Sequence, residues 1–332
     1  MFNKKMYLAD FAAKEEAATR DGFGKALLEL GKSNPKVVVL CADLAESTRT
    51  LAFKEAYPDR YVELGVAEQN LATVAAGLAV YGKIPFITSY AAFSPGRNNE
   101  QIRTTIALNE VPVKIAGMHS GISVGPDGGT HQALEDIALM RVIPNMTVLY
   151  PSDSEEARKA TLASVKVDGP VYIRLAREKT PAVTTSHSPF TIGKANVLWE
   201  SPQPEVAIFA TGTLVYSALK AAENLVKEFA VTVVSVPTIK PLDTKLIVDV
   251  VSKAGAVVSV EEHQVAGGLG SAIAETLVQH HPVPMEFVGV QNRFGQSGET
   301  KELYEEYGLT ISHIMGAARK VMHRKNKNNG KR

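Results

Sequence analysis

The chain has 332 residues, of which 45% are hydrophobic and 21% charged, and its net charge is +1. This composition belongs to a globular protein and excludes a disordered or low-complexity scaffold. The near-balance of charge leaves no electrostatic footprint for nucleic acid or an anionic membrane, and no stretch reaches the about 18 apolar residues that a membrane helix needs.

At about 150 residues per domain, this length suits two cores. Apolar runs of strand length alternate with segments of helical period, which predicts an α/β fold of two domains, each a mostly parallel sheet flanked by helices. In the first domain, 1–185, the strand candidates are Lys36–Ala42, Ile84–Ser89, Val113–Met118, Thr147–Tyr150 and Val171–Leu175. Between them Phe23–Gly31, Asn70–Tyr81, Asn98–Leu108, His131–Val142 and Ser152–Lys166 read as helices, the last opened by a capping box of Ser152 and Glu155. The polar, proline-punctuated stretch Lys179–Pro189 is the expected boundary.

A second domain, 190–323, follows with strands Val206–Ala210, Val231–Val236, Ala256–Val260 and Pro284–Val288 and helices Leu214–Phe229, Thr244–Lys253 and Leu269–His280. The basic tail 324–332 is expected to fray into solvent. Cys41, the only cysteine, sits in the apolar run Val37–Ala42, so an internal disulfide is excluded and a buried thiol in a reducing cytoplasm is expected.

The segment Glu63-Leu-Gly-Val-Ala-Glu-Gln-Asn70 runs directly into Leu71–Tyr81, a stretch without charge. Such a helix has no solvated face and is predicted to be buried on every side. Glu68 at its start is then a carboxylate taken out of water, which must find hydrogen-bond donors or hold a proton near neutrality. Groups of that kind concentrate at functional sites. The alternative is a helix cap favoured by the macrodipole.

Four motifs, Gly65-Val-Ala-Glu-Gln-Asn70, Thr88-Ser-Tyr-Ala-Ala-Phe93, Gly125-Pro-Asp-Gly-Gly-Thr-His-Gln132 and Arg174-Leu-Ala-Arg177, occur in the order found in one enzyme family. From about Arg20 to about Arg319 the chain resembles the pyrimidine-binding and C-terminal half of transketolase. The resemblance implies that thiamine diphosphate lies between two domains and that Glu68 hydrogen-bonds N1′ of its aminopyrimidine, favouring the imino tautomer that generates the nucleophilic ylide. Tyr90 and Phe93 match the aromatic pair that packs on the pyrimidine, with Gly96 standing where a third aromatic is common.

By the same match His119 and Asp127 bond sugar hydroxyls, His131 lies near the phosphate end of the substrate, and Arg20, Ser47 and Arg177 clamp a sugar phosphate. Glu68, His119 and His131 are thus the expected catalytic residues. Read without the resemblance, each has an ordinary explanation: aromatics after a strand pack in cores, Pro-Asp-Gly-Gly is a turn, and single arginines are solvated.

Enzymes of this type hold magnesium or another divalent ion and the diphosphate through a Gly-Asp-Gly motif with a later asparagine, which this chain does not contain. Asp43, Asp127 and Asp136 lack metal-ligand spacing, so no metal site is expected here. The resemblance therefore implies an N-terminal, diphosphate-binding partner subunit, an α2β2 assembly with a second copy of this chain, and ketol transfer between sugar phosphates. The rival readings are a 1-deoxyxylulose 5-phosphate synthase, the β subunit of a 2-oxoacid dehydrogenase, and a non-catalytic regulatory subunit. His263, in Val260-Glu-Glu-His-Gln264, is expected to be structural.

Overall fold

The structure, a computed structural model, describes residues 1–11, 13 and 15–329. In chain order its strands are β1 (Glu16–Ala18), β2 (Val37–Cys41), β3 (Tyr61–Glu63), β4 (Ile84–Tyr90), β5 (Lys114–Met118), β6 (Thr147–Leu149), β7 (Val171–Arg174), β8 (Lys179–Pro181), β9 (Asn196–Trp199), β10 (Val206–Ala210), β11 (Val231–Ser235), β12 (Thr238–Lys240), β13 (Val257–Gln264) and β14 (Met285–Val290). The larger sheet has the order β12-β6-β7-β5-β4-β2-β3 and the smaller β14-β13-β10-β11-β9. In the larger sheet all pairs from β6 to β3 are parallel. Their carboxyl ends consequently share one edge, where α/β proteins place ligands.

Strands β2 and β5 are buried along their whole length, as expected of a sheet covered on both faces. Helices Thr19–Ser33 and Ser154–Ser164 cover one face with Phe23, Leu27, Ala157 and Ala160, and helix Glu68–Val80 covers the other with Leu71, Ala72, Ala75 and Ala76. The two domains are also joined by strand pairing, because β12, which follows β11 of the smaller sheet, pairs antiparallel with β6 at the edge of the larger one.

Several local expectations shift. The helix expected at Ser152 starts at Ser154, with Asp153 as its cap: the Asp153 carboxylate accepts from Glu156 N at 2.8 Å, while Glu156 reaches back to Ser152 N at 2.7 Å and its hydroxyl at 2.8 Å. Asp153 prevails over Ser152 because its second oxygen also accepts from Val183 N at 2.7 Å and from Thr184 N, pinning the chain between the domains. The stretch 179–189 is accordingly no free linker, and its first residues form β8, paired with β1.

Residues 102–107 form a π-helix, and the helix expected from His131 begins at Asp136. The tail does not fray at 324. Helix Ile311–Asn329 continues over 324–329, because Arg324 bonds Glu286 at 2.5 Å and Lys325 Nζ donates to Glu205 O at 2.9 Å and Ala254 O at 2.7 Å, and the rest of the expected tail, 330–332, lies outside the described residues. Helix Glu68–Val80 is not buried on every side either, since Val80 is 75% and the adjoining Tyr81 89% exposed.

Arg174 and Asp136, both sealed from solvent, meet at 2.8 Å, and the Tyr172 hydroxyl donates to the same Asp136 oxygen at 2.5 Å. The guanidinium holds the Asp136 carboxyl below its ordinary range against the burial that raises it. Asp136→Ala, which strands a buried cation, is expected to destabilise the protein by about 3–5 kcal/mol in urea denaturation.

Candidate active site

All the residues singled out in the sequence for the site except Arg20 follow or end a strand of the larger sheet at its carboxyl edge. Ser47 lies in the loop after β2, Glu68 after β3, Tyr90 and Phe93 at and after β4, His119 directly after β5, and Arg177 after β7. Arg20 joins them from the first turn of helix Thr19–Ser33, anchored where the Thr19 hydroxyl accepts from Ala176 N at 2.7 Å.

Glu68 opens its helix and is only 1% exposed. Its Oε1 accepts from the Ser89 hydroxyl at 3.4 Å and its Oε2 from Arg97 Nη1 at 3.1 Å. Asn98 Nδ2 holds its backbone carbonyl at 2.9 Å. Glu68 nevertheless belongs to the lining of an open cleft of about 480 Å³ together with Val66, Ala67, Asn70 and Arg97. It is therefore sequestered from bulk water and still reachable once Arg97, whose side chain is 52% exposed, moves aside.

An aromatic band connects this acid to a cationic group. Arg97 lies 5.1 Å from the Phe93 ring centroid, Phe93 stacks on Tyr90 at 6.1 Å, and His131 meets both rings edge-on. Tyr90 lies 4.0 Å from His119. Beyond it Arg20 Nη1 donates to His119 Nε2 at 3.0 Å and to Ser47 O at 2.9 Å, so Ser47 contributes its carbonyl here.

A guanidinium only donates, so His119 Nε2 must accept and the ring proton sits on Nδ1. That N–H is buried without a partner, and buried donors are almost always satisfied. Burial, reinforced by Arg20 and Arg177, pushes the His119 pKa down to about 3, which keeps the ring neutral.

Asp127 and His131 lie in and just after the loop 121–129. Asp127 sits 3.7 Å from Arg177, whose Nη1 also donates to Val124 O at 3.0 Å. The Thr130 hydroxyl bonds His131 Nδ1 at 2.9 Å. Among the described residues no group of three or more His, Cys, Asp or Glu side chains is gathered to hold a metal ion, and no helix is long and apolar enough to cross a membrane.

Residues 15–183 match the model of the transketolase pyrimidine-binding domain, and 193–314 match that of the transketolase C-terminal domain. The chain belongs to the transketolase family. It is 42% identical over 313 residues to the 6-deoxy-6-sulfo-D-fructose transketolase subunit SqwH of Clostridium sp. strain MSTE9, covering 94% of this chain and 97% of that one. It is 40% identical over 308 residues to a putative transketolase C-terminal section of Methanocaldococcus jannaschii, covering 91% and 95%. A solved split-gene transketolase, described as an inactive β4 tetramer, superposes with a TM-score of 0.87 at 45% identity, covering 93% of this chain and 99% of that one. The chain is thus the C-terminal section of a transketolase, and its first domain is the one that receives the pyrimidine of thiamine diphosphate.

Arg97 and Ser89, which hold the Glu68 carboxylate of this transketolase section, were not singled out in the sequence. Arg97 does stand four residues after Phe93, the spacing that brings two side chains together over one helical turn. His263 is sealed from solvent, with Nδ1 donating to Gln264 O at 2.6 Å and Nε2 accepting from Ala138 N at 3.4 Å. It holds the start of helix Asp136–Val142.

Burial also lowers the His263 pKa, to about 4. In the unfolded chain both histidines titrate near 6.5, so on acidification the unfolded state takes up protons that the folded state refuses. The stability they contribute is full above about pH 6.5 and is lost as pH falls toward the folded values. His119→Asn is expected to flatten the acid limb of the stability–pH profile by up to about 1.4 kcal/mol per pH unit. Urea midpoints measured from pH 7 downward read this slope.

Proposed function

We propose that this chain is the pyrimidine-binding subunit of a split transketolase, active with an N-terminal partner subunit that holds the diphosphate and its divalent ion. The reaction is transfer of a two-carbon ketol unit from a ketose to an aldose, each carrying a terminal anionic group. The reading is carried by one arrangement: a sequestered carboxylate, Glu68, joined by an aromatic band to two arginines across a single sheet edge.

The residues fit the pyrimidine end of the cofactor. Glu68 offers a carboxylate at the start of its helix, and Phe93 and Tyr90 offer flat apolar faces linked to it through Arg97, which bonds the acid and lies over the Phe93 ring. Thiamine diphosphate, when bound, supplies the nucleophilic carbon for ketol transfer. Glu68 would hold the aminopyrimidine end of that cofactor, its carboxylate sharing a proton with a ring nitrogen. His119 donates from Nδ1 to a substrate oxygen, and Asp127, an acceptor when ionised, takes a sugar hydroxyl. Arg20 and Arg177, with His131, hold the terminal anion, because guanidinium forks bind such oxygens in a bidentate way and keep their charge.

Sugar phosphates are the first choice for that anion. A 6-sulfo sugar is the second, favoured by the 42% identity to a subunit named for one. Both present a tetrahedral oxyanion to the same arginines. Either reading departs from a 2-oxoacid dehydrogenase subunit, whose substrates have no anionic terminus of this kind.

The exposed apolar side chains of Val66, Val80, Tyr81 and Leu108, at the two ends of helix Glu68–Val80 and near it in sequence, support the assembly half of the proposal. A buried acid at the start of a small-residue helix with an uncovered apolar side is suited to a second subunit that closes over both. A charge placed at one of these side chains, Val80→Lys, is expected to weaken subunit association by about tenfold or more, measured by sedimentation of the mixed subunits.

The direct test mixes the chain with its candidate partner and assays ketol transfer from xylulose 5-phosphate to ribose 5-phosphate, with 6-deoxy-6-sulfofructose as the alternative donor and pyruvate plus glyceraldehyde 3-phosphate as the control. Transfer that depends on thiamine diphosphate and falls at least ~100-fold in Glu68→Ala is the expected result. Turnover of pyruvate alone would sink the reading.

A further inference from the structure

The loop that carries Asp127 belongs to the first domain by sequence, yet it is held by the second. Ser123 N donates to Glu262 Oε1 at 2.7 Å. The other oxygen, Oε2, accepts the hydroxyls of Thr213 at 2.8 Å, Tyr304 at 3.0 Å and Tyr150 at 3.5 Å. Glu262 is fully buried at the carboxyl end of β13. A carboxylate removed from water and met by four donors is a rigid junction, since losing it leaves those donors unmatched.

The glycines of the loop are placed for the same docking. Gly121 has φ 88, and a Cβ there would stand 2.3 Å from Glu262 Oε1. Gly128, at φ 76, backs onto Ser297, where a Cβ would meet its Oγ at 2.5 Å. Gln132 Nε2 adds hydrogen bonds to Ile122 O at 3.1 Å, Gly125 O at 3.2 Å and Gln296 O at 3.0 Å, and the Thr300 hydroxyl donates to Ser123 O at 3.3 Å.

We infer that Glu262 is a positioning residue of the sugar site: from the second domain it fixes loop 121–131 so that Asp127 lies against Arg177 and His131 against Phe93. The smaller domain is then a working part of sugar recognition as well as a second core. The sugar half of this inference rests on the ketol-transfer reading, and the loop clamp does not.

The test is hydrogen exchange by mass spectrometry on the full chain, with Glu262→Ala against the parent protein. Peptides covering 121–131 are expected to exchange about tenfold faster while those from β4 and β10 keep their protection. Reconstituted with the diphosphate-binding partner, the variant is expected to show a KM for xylulose 5-phosphate about tenfold higher, with half-saturation by thiamine diphosphate unchanged within about twofold. Should Glu262→Ala fail to fold, Gly121→Ala, which presses a methyl group on the same carboxylate, carries both measurements with the same expectation. Unchanged exchange in 121–131, or acceleration shared equally by the whole chain, overturns the clamp. Faster loop exchange with an unchanged KM overturns the positioning role. Absence of transfer in the parent enzyme counts against the ketol-transfer reading alone, and the exchange measurement still decides the clamp.

Discussion

A carboxylate taken out of water has to be met by donors, and in this protein that demand fixes the junctions between elements. Asp153 is answered by the backbone of its own helix and of residues 183 and 184, Asp136 by Arg174 and Tyr172, Glu261 by the N–H groups of Leu269 and Gly270, and Glu262 by Ser123, Thr213, Tyr304 and Tyr150. All but Glu261, whose donors lie eight and nine residues on, gather groups from segments far apart in the chain. Hydrophobic burial supplies the bulk of the stabilisation, but it is non-directional. The acids supply direction, because a mismatched donor in a low-dielectric interior costs what a misplaced methyl does not.

Glu68 obeys the same rule with a different result. Its donors, Ser89 and Arg97, meet it at 3.4 and 3.1 Å, and one of them is a half-exposed arginine that also lies over Phe93. The structural acids are satisfied by backbone amides, hydroxyls and a fully buried arginine that cannot leave. Glu68 is satisfied in part by a side chain that can. That contrast separates an acid holding the fold from an acid available to a ligand. His119 shows the complementary case, a buried N–H left unpaired beside two cations.

The two domains are more entangled than a simple tandem. Strand β12 extends the first sheet from within the second domain, Phe2 packs edge-on against Trp199, and the Asp127 loop rests on residues 295–300. The position of the Asp127 loop therefore depends on both cores at once.

By itself the sequence determined the α/β class, most strands of both sheets to within one or two residues, and the residues that gather at the carboxyl edge of the larger sheet. These are legible because strand-length apolar runs and short motifs are local signals. Shifted starts, such as the cap at Asp153 in place of Ser152, arose where a distant partner added to the local preference. Short strands β3, β9 and β12 and the helix over 311–329 escaped notice because pairing and docking form them, with little intrinsic pattern. Only the tertiary structure decided that Arg97 guards Glu68, that the His119 proton sits on Nδ1, and that Glu262 reaches across to the Asp127 loop. Each of those joins residues at least 29 apart in the chain, and no local spacing records a contact that exists only once both cores have closed.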